Sequence, residues 1–238
     1  MGAIAVILCA GQGMRMGASK NKVFLPLLGR PMVLYSIEAC QGARLVTDIL
    51  LVAHPNEVEY CRSEILERYG IPSTLTVIPG GVTRHQSEKC ALDYLREHFE
   101  GIMDPGTDIV LFHDGARPLV TSSDIDHLVQ VARTRGGALL GTPLDDHEMI
   151  AELRPDGTIA GILPPRGLWR AQTPQAFEAK SLLSSYDQAQ IDGFQGTDTA
   201  STYERLGAAV YMVEGSRDNI KMTGPLDLVL GTAVLGKR

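Results

Sequence analysis

Apolar residues recur along the chain in short runs that alternate with segments of helical spacing. Residues 3–9 form a continuous aliphatic run that ends before Gly11, which is typical of a strand buried on both faces. Similar runs predict strands at residues 47–53, 74–78 and 108–113. The segments between them predict four helices. One starts near Pro31, one lies between Asn56 and Gly70, one spans residues 84–98, and one runs from a Ser122 or Ser123 cap to Arg135. Elements in this order indicate βαβ units and a mostly parallel sheet.

The pattern changes after Ala138. Residues 149–153 and 158–163 are predicted to form two short strands, and the Asp156-Gly157 pair between them favours a tight hairpin turn. A two-stranded arm cannot bury both of its faces alone, so we expect it to pack on the main sheet or on another subunit. Helices are then expected at residues 180–189, 198–206 and 225–235, with a strand at 208–213. This predicts a single domain, residues 1–238, with an arm at about 144–168.

Composition and charge narrow the class of protein. The 238 residues are 44% hydrophobic and 21% charged, which is typical of a globular protein. The net charge of −6 disfavours a nucleic-acid partner, because proteins that coat nucleic acid are usually basic. The longest apolar run is too short to cross a membrane, and no Lys or Arg precedes it as in a signal peptide. The four cysteines lack CxxC spacing, which favours buried thiols in a reduced, cytoplasmic protein.

A glycine-containing loop follows the first strand, at the end where open α/β sheets bind ligands. Gly11 and Gly13 allow backbone N–H groups to approach a ligand closely. The dinucleotide fingerprint would need glycine where Met16 stands, which disfavours an NAD(P)-dependent oxidoreductase, and the P-loop pattern is absent. Three cations fall close together in this acidic chain: Arg15, Lys20 and Lys22. Such a cluster predicts a polyanionic ligand such as a nucleoside triphosphate.

Five segments together resemble one family. They are CAGQGMRMG with NKVFLPL (9–17 and 21–27), GGVTRHQS (80–87), HDGARP (113–118), RGLWRAQTPQAF (166–177), and GTDTAS with DNIKMT (196–201 and 218–223). In this order, over nearly the whole chain, they are similar to the sugar-nucleotide pyrophosphorylase-like cytidylyltransferases, and most of all to the 2-C-methyl-D-erythritol 4-phosphate cytidylyltransferase family. The resemblance implies a Rossmann-like three-layer αβα nucleotidyltransferase fold, with a mostly parallel sheet and an inserted β-hairpin arm.

The resemblance also implies a reaction of non-mevalonate isoprenoid biosynthesis. A phosphate oxygen of methylerythritol phosphate attacks the α-phosphorus of CTP, and pyrophosphate leaves with Mg²⁺, which is bound mainly through the CTP phosphates. The substrate phosphate is itself the nucleophile, so the protein needs none. Catalysis then consists of positioning the reactants and stabilising negative charge that grows on phosphoryl oxygens.

Roles for individual residues follow from the same resemblance. The expected catalytic residues are Arg15, Lys22 and Lys221. Nucleotide binding is expected of Cys9, Ala10, Gly11, Gly13, Gly81, Ser87 and Gly115. Substrate binding is expected of Asp114, Arg117, His147, Arg166, Thr173 and Thr197. A homodimer formed through the arm would bring Arg166 and Thr173 to the partner's substrate phosphate, and His113 is expected to order its turn rather than act as a base.

Three positions depart from the family pattern. Lys22 follows Asn21 where Pro-Lys is common, Val82 stands where an acidic residue is frequent, and His147 replaces a threonine. That threonine would contact the substrate phosphate, so a cytidylyltransferase for another alditol phosphate, such as ribitol 5-phosphate, is an alternative. A non-catalytic nucleotide-binding domain is a more remote one, because such a domain would be expected to lose its phosphate-facing cations.

Overall fold

The structure, a computed structural model, describes residues 2–11, 21–72, 75–98 and 108–237. The strands are β1 (Ala3–Cys9), β2 (Pro26–Leu27), β3 (Arg30–Pro31), β4 (Val46–Ala53), β5 (Leu75–Pro79), β6 (Ile109–Asp114), β7 (Gly137–Pro143), β8 (Ile150–Leu153), β9 (Ile159–Leu163), β10 (Trp169–Glu178) and β11 (Tyr211–Glu214). The helices are α1 (Met32–Gly42), α2 (Val58–Tyr60), α3 (Arg84–His98), α4 (Ser122–Arg135), α5 (Ala179–Ile191), α6 (Thr199–Tyr203) and α7 (Pro225–Leu235). A π-helical turn, Cys61–Glu67, continues α2.

The main sheet has the strand order β11-β7-β10-β6-β1-β4-β5. β10 runs antiparallel to both of its neighbours, whereas the other paired strands of this sheet are parallel. The predicted mostly parallel α/β fold is therefore confirmed. The sequence pattern missed β7 and β10. β10 contains Pro174, which argues against a central strand, and an irregularity in its register between Ala171 and Gln175 accommodates this proline.

Helices cover both faces of the sheet. The buried apolar side chains form two clusters, one on each face. One cluster contains side chains of α1, α4 and the helical segment that begins with α2, and the other contains side chains of α3, α5 and α6. β1 lies between the two clusters: Ala5 and Ile7 belong to the first, and Ile4 and Val6 belong to the second. This explains why β1 is aliphatic at every position instead of alternating.

The start of α4 differs from the prediction. The cap is Thr121, not Ser122 or Ser123. Its hydroxyl accepts the Asp124 N–H at 3.1 Å, and the Asp124 carboxylate accepts the Thr121 N–H at 3.3 Å. This reciprocal capping box satisfies two backbone donors at once, which a serine one or two residues later could not do with Asp124. The predicted Asn56 cap is also wrong, because the side chain of His54 accepts the Asn56 N–H at 3.3 Å.

The predicted arm is present as a hairpin of its own. β8 and β9 pair antiparallel, and Gly157 between them has a φ of +83°, which suits glycine. Large apolar side chains of this hairpin lie exposed, with exposed fractions of 83% for Met149, 60% for Leu153, 57% for Ile159 and 56% for Ile162. The arm therefore presents an apolar surface outside the main sheet.

The cysteines are free thiols, and Cys9, Cys40 and Cys61 are buried while Cys90 is partly exposed. Burial raises the pKa of the Cys40 and Cys61 thiols to about 12. These two side chains are therefore protonated and unreactive at neutral pH. Among the described residues, no helix is both long enough and apolar enough to span a bilayer.

Candidate active site

The carboxyl ends of β1 and β6 meet at one edge of the sheet. Leu8 pairs with Asp114, and the Gly115 N–H donates to the Leu8 carbonyl at 3.0 Å. A side chain on Gly115 would place a Cβ 2.5 Å from the Cys9 Sγ, so only glycine fits there. A cavity of about 200 Å³ opens at this edge, where open α/β sheets bind ligands.

The cavity brings together residues that are far apart in the chain. The predicted site residues that line it are Cys9, Ala10, Gly11, Lys22, Gly81, Ser87, Asp114 and Lys221. It is also lined by Asn21, Val82, Thr83 and Arg84, to which the sequence analysis assigned no role. The signal for Arg84 was present in the GGVTRHQS segment, but its position at the cavity wall depends on how α3 packs.

Asp114 is the charged centre of the cavity. Lys221 Nζ donates to its Oδ2 at 2.6 Å, and Arg84 Nε lies 3.5 Å from its Oδ1. Burial by itself raises the pKa of Asp114, but Lys221 and Arg84 outweigh burial and hold that pKa well below its usual range. The carboxylate is therefore ionised at neutral pH and orients both cations.

A network of backbone contacts brings Lys221 to the cavity. The Met222 N–H donates to the Ala116 carbonyl at 2.8 Å, next to the end of β6. Asn219 Nδ2 donates to the Thr173 carbonyl at 2.9 Å, and Arg117 Nη1 donates to the Asn219 carbonyl at 2.7 Å. Lys221 thus extends from a segment that is docked on both sides.

Lys22 is placed by its neighbour Asn21, which is buried. Asn21 Nδ2 donates to the Cys9 carbonyl at 2.6 Å, and its backbone N–H donates to the Glu57 carboxylate at 3.2 Å. Asn21 also caps the short helical turn Lys22–Phe24. The asparagine that departs from the family pattern therefore joins the end of β1 to the turn that carries Lys22.

Ser87 shapes the opposite wall of the cavity. Its hydroxyl accepts the Gly81 N–H at 3.2 Å and is 2.9 Å from the Thr83 carbonyl, to which it donates. A Cβ on Gly81 would collide with the side chain of Gln86. The hydroxyl of Ser87 thus orders the loop that begins α3, and its role towards a base stays a prediction.

The comparisons with known proteins agree with this geometry. A family model described as 2-C-methyl-D-erythritol 4-phosphate cytidylyltransferase matches residues 3–237. The proteins of that name from Caldanaerobacter subterraneus and Geobacter metallireducens are 36% and 37% identical to this chain; the alignments cover all of this chain and 100% and 99% of those proteins. This chain belongs to the 2-C-methyl-D-erythritol 4-phosphate cytidylyltransferase family.

Solved structures are similar to this cytidylyltransferase in fold. The 4-diphosphocytidyl-2C-methyl-D-erythritol synthase of Anaerococcus prevotii superposes with a TM-score of 0.80 at 23% identity, covering 99% of this chain and 98% of that one. The 2-C-methyl-D-erythritol 4-phosphate cytidylyltransferase of Thermus thermophilus gives 0.74 at 24% identity, covering 97% of both chains. The predicted nucleotidyltransferase fold is thereby confirmed.

Several predicted site residues of the cytidylyltransferase lie outside the cavity lining. His147, Arg166 and Thr197 are exposed, and Arg117 is bound to backbone carbonyls. Thr173 is buried, and its hydroxyl accepts the Asp114 N–H at 3.0 Å. Gly13 and Arg15 lie outside the described residues. The catalytic role of Arg15, the nucleotide-binding role of Gly13 and the substrate-binding roles of the other residues stay predictions.

His113 lies beneath the cavity and is fully buried. Its Nε2 is 3.1 Å from the Arg117 carbonyl, which can only accept, so Nε2 carries the proton. Its Nδ1 is then free to accept from the Thr173 hydroxyl, 3.2 Å away. Burial lowers the pKa of His113 from 6.5 to about 4. A neutral, doubly hydrogen-bonded imidazole orders the turn after β6 in the cytidylyltransferase.

This pKa predicts how the stability of the cytidylyltransferase depends on pH. The unfolded chain binds a proton at His113 below pH 6.5 and the folded chain only below about 4. The free energy of unfolding should therefore fall on acidification between these values, by up to about 3 kcal/mol from this residue. Urea unfolding at several pH values should show a smaller fall in His113→Asn. His127→Asn, a change of an exposed histidine, serves as the control. The prediction would be contradicted if the free energy of unfolding changed equally with pH in the wild type and in both variants.

Proposed function

We propose that this chain transfers CMP from CTP to 2-C-methyl-D-erythritol 4-phosphate, releasing pyrophosphate. The observation that carries the proposal is the cavity at the β1–β6 edge, which is lined by Lys22, Arg84, Lys221 and Asp114. Among the described lining residues, the cations outnumber the carboxylate in a chain whose net charge is −6. A local surplus of positive charge in a concave site suits a triphosphate and a second phosphate.

The reaction needs positioning rather than a protein nucleophile. A phosphate oxygen of the alditol forms a bond to the α-phosphorus of CTP, and the bond from that phosphorus to the bridging oxygen breaks. The departing pyrophosphate keeps the electron pair. Lys22 and Lys221 would stabilise the charge that develops on the phosphoryl oxygens, and one such donor contributes about 10²–10³ in rate. His113 takes no proton in this scheme, because burial lowers its pKa to about 4 and its Nδ1 already accepts from the Thr173 hydroxyl.

The nucleoside would lie against small residues at the end of β1. Gly11 is exposed, and a Cβ on it would meet no atom of the described residues within 4 Å. Ala10 and Gly11 leave room for a planar or ribose ring close to the main chain. Val82 is 87% exposed beside Gly81, and its side chain cannot accept a hydrogen bond from a base amino group. Selection of cytosine would therefore rest on backbone groups of the loop around Gly81.

Magnesium would enter with the nucleotide. Among the described residues there is no group of three or more His, Cys, Asp or Glu side chains that could hold a metal ion. Asp114 faces the cavity, but Lys221 and Arg84 already pair with it. These residues fit an ion that takes most of its ligands from phosphates and water, as Mg²⁺ commonly does. When bound, the ion would offset charge on the triphosphate.

The substrate assignment is tested by pyrophosphate release. CTP, UTP and ATP are each combined with methylerythritol phosphate and with ribitol 5-phosphate. We expect the fastest release from CTP with methylerythritol phosphate. Faster release with ribitol 5-phosphate would favour the alternative alditol. CTP binding without release from any pair would show a non-catalytic nucleotide-binding domain.

The arm supports a further part of the proposal, a homodimer. Leu153 and Ile159 pair across the hairpin, and both are more than half exposed. Light scattering should give twice 25.7 kDa for the wild type at micromolar concentration and 25.7 kDa for Ile159→Asp, because a buried, unpaired carboxylate disrupts an apolar interface. Leu206→Asp, a matched change of an exposed leucine outside the arm, should stay dimeric. A monomeric wild type would refute the dimer.

We also propose a cytoplasmic location without nucleic-acid or membrane partners. The four free cysteines suit a reducing compartment, where structural disulfides are rare. The net charge of −6 disfavours polyanionic partners larger than the substrates.

A further inference from the structure

A buried carboxylate lies directly behind the cavity wall. Glu88 on α3 is 0% exposed, and glutamate is almost never fully buried unless it is paired. Its ionic partner is Arg84, one helical turn earlier, which lines the cavity and donates to Glu88 Oε1. The proposed reaction does not use Glu88, so this costly burial calls for a separate explanation.

Two hydroxyl groups from other helices fix the orientation of this carboxylate. Thr199 Oγ1 on α6 donates to Glu88 Oε1 at 2.5 Å, and the Tyr186 hydroxyl on α5 donates to Oε2 at 2.6 Å. Burial raises the pKa of Tyr186, so its hydroxyl stays a donor. Burial also raises the pKa of Glu88, while Arg84 and the two hydroxyls oppose that shift. Three helices thus converge on one carboxylate.

Arg84 is held between two carboxylates. Nη1 points to Glu88 behind the wall, and Nε lies 3.5 Å from Asp114 at the cavity. Asp114 is shared, because it also accepts from Lys221 at 2.6 Å. Without Glu88, Arg84 would compete with Lys221 for Asp114 or turn towards a bound phosphate. Either movement would displace a cation of the site.

We propose that Glu88 is a positioning residue: with Thr199 and Tyr186 it holds Arg84 at the cavity wall, so that Asp114 remains available to orient Lys221. The proposal rests on the proposed function of the cavity. Glu88 touches no substrate and acts through Arg84. The arrangement keeps two cations of the site at set positions before the substrates bind, which limits the reorganisation needed during the reaction.

The first test removes the charge and keeps the shape. Glu88→Gln should lower kcat by about 10-fold to 100-fold, because small displacements of positioned groups are costly in rate. KM for both substrates and thermal unfolding are measured alongside. Asp93→Asn is the matched control, since Asp93 pairs with Lys89 at the same spacing on the same helix, away from this cavity. The kcat of Asp93→Asn should stay within about twofold of the wild-type value, as for most surface changes.

A double-mutant cycle separates positioning from general support of the fold. In an Arg84→Ala background, Glu88→Gln should change kcat by less than about twofold, because the residue through which Glu88 acts is gone. An equal loss in both backgrounds would overturn the proposal, and so would a Glu88→Gln enzyme with the kcat of the wild type. If Glu88→Gln does not fold, Thr199→Val and Tyr186→Phe replace it, since each removes one donor to the carboxylate. Their losses should also vanish in the Arg84→Ala background.

The same double-mutant cycle is repeated with the dissociation constant of CTP as the measured quantity. If the wild type binds CTP but releases no pyrophosphate with either alditol phosphate, the proposed function fails, and the binding cycle still decides the role of Glu88. We expect Glu88→Gln to weaken CTP binding several-fold in the wild-type background and not in Arg84→Ala. Equal weakening in both backgrounds would overturn the proposal.

Discussion

Lys221→Ala is expected to lower kcat by about 10³-fold, which is the upper end of the range for the loss of one transition-state donor. Two effects act in the same direction. The variant loses a cation of the proposed phosphate site, and it leaves the buried Asp114 carboxylate without the partner that lies 2.6 Å away. That carboxylate then repels the incoming phosphates. Steady-state pyrophosphate release at saturating CTP measures the loss.

A second substitution separates the two effects. Lys221→Ala/Asp114→Asn should recover about 10-fold of the lost kcat, because it removes the negative charge that Lys221 no longer offsets but restores no donor. Lys180→Ala, a change of an exposed lysine on α5, is the control and should leave kcat unchanged. A double variant that is no faster than Lys221→Ala would show that repulsion by Asp114 contributes nothing.

Lys22→Ala is expected to lower kcat by at least about 10². Lys22 lines the cavity wall next to the end of β1, and its turn is held there by Asn21. The fold should survive, since the apolar neighbours Val23 and Phe24 carry the packing of this turn. The measurement is kcat and KM for both substrates, together with thermal unfolding. A fall in kcat and in kcat/KM by the same factor would identify an interaction made in the transition state.

The control for this variant is Lys237→Ala, an exposed lysine near the end of the chain. A change in KM alone for Lys22→Ala would place Lys22 in ground-state binding instead. An unchanged turnover would remove Lys22 from the site.

Local patterns predicted many of the elements well. β1, α3 and α7 begin and end where the sequence analysis expected them, because each is a strongly periodic or aliphatic segment with clear boundaries. β7 and β10 were missed because glycine, proline and glutamine interrupt their patterns, and their strand conformation depends on neighbours in the sheet. The cap of α4 was misplaced by one or two residues because adjacent hydroxyl residues compete for the same role.

The candidate site also contains residues that the sequence predicted and residues that it did not. Lys22, Asp114 and Lys221 were predicted from the segments that carry the family resemblance, and the structure brings them to one cavity. Arg84 and Glu88 were not, because an arginine and a glutamate four residues apart on a helix usually form a solvated surface pair. Only the packing of α5 and α6 against α3 buries Glu88 and turns this pair into part of the cavity wall.

The chain of residues by itself determined the α/β class, the hairpin arm and the family, since these follow from local periodicity, turn chemistry and short ordered segments. The tertiary structure alone decided which charges meet. Asp114 and Lys221 are 107 positions apart, and they pair only when the loop after β11 docks on the end of β6. Burial and partner choice depend on what surrounds a side chain, and the surroundings exist only in the folded protein.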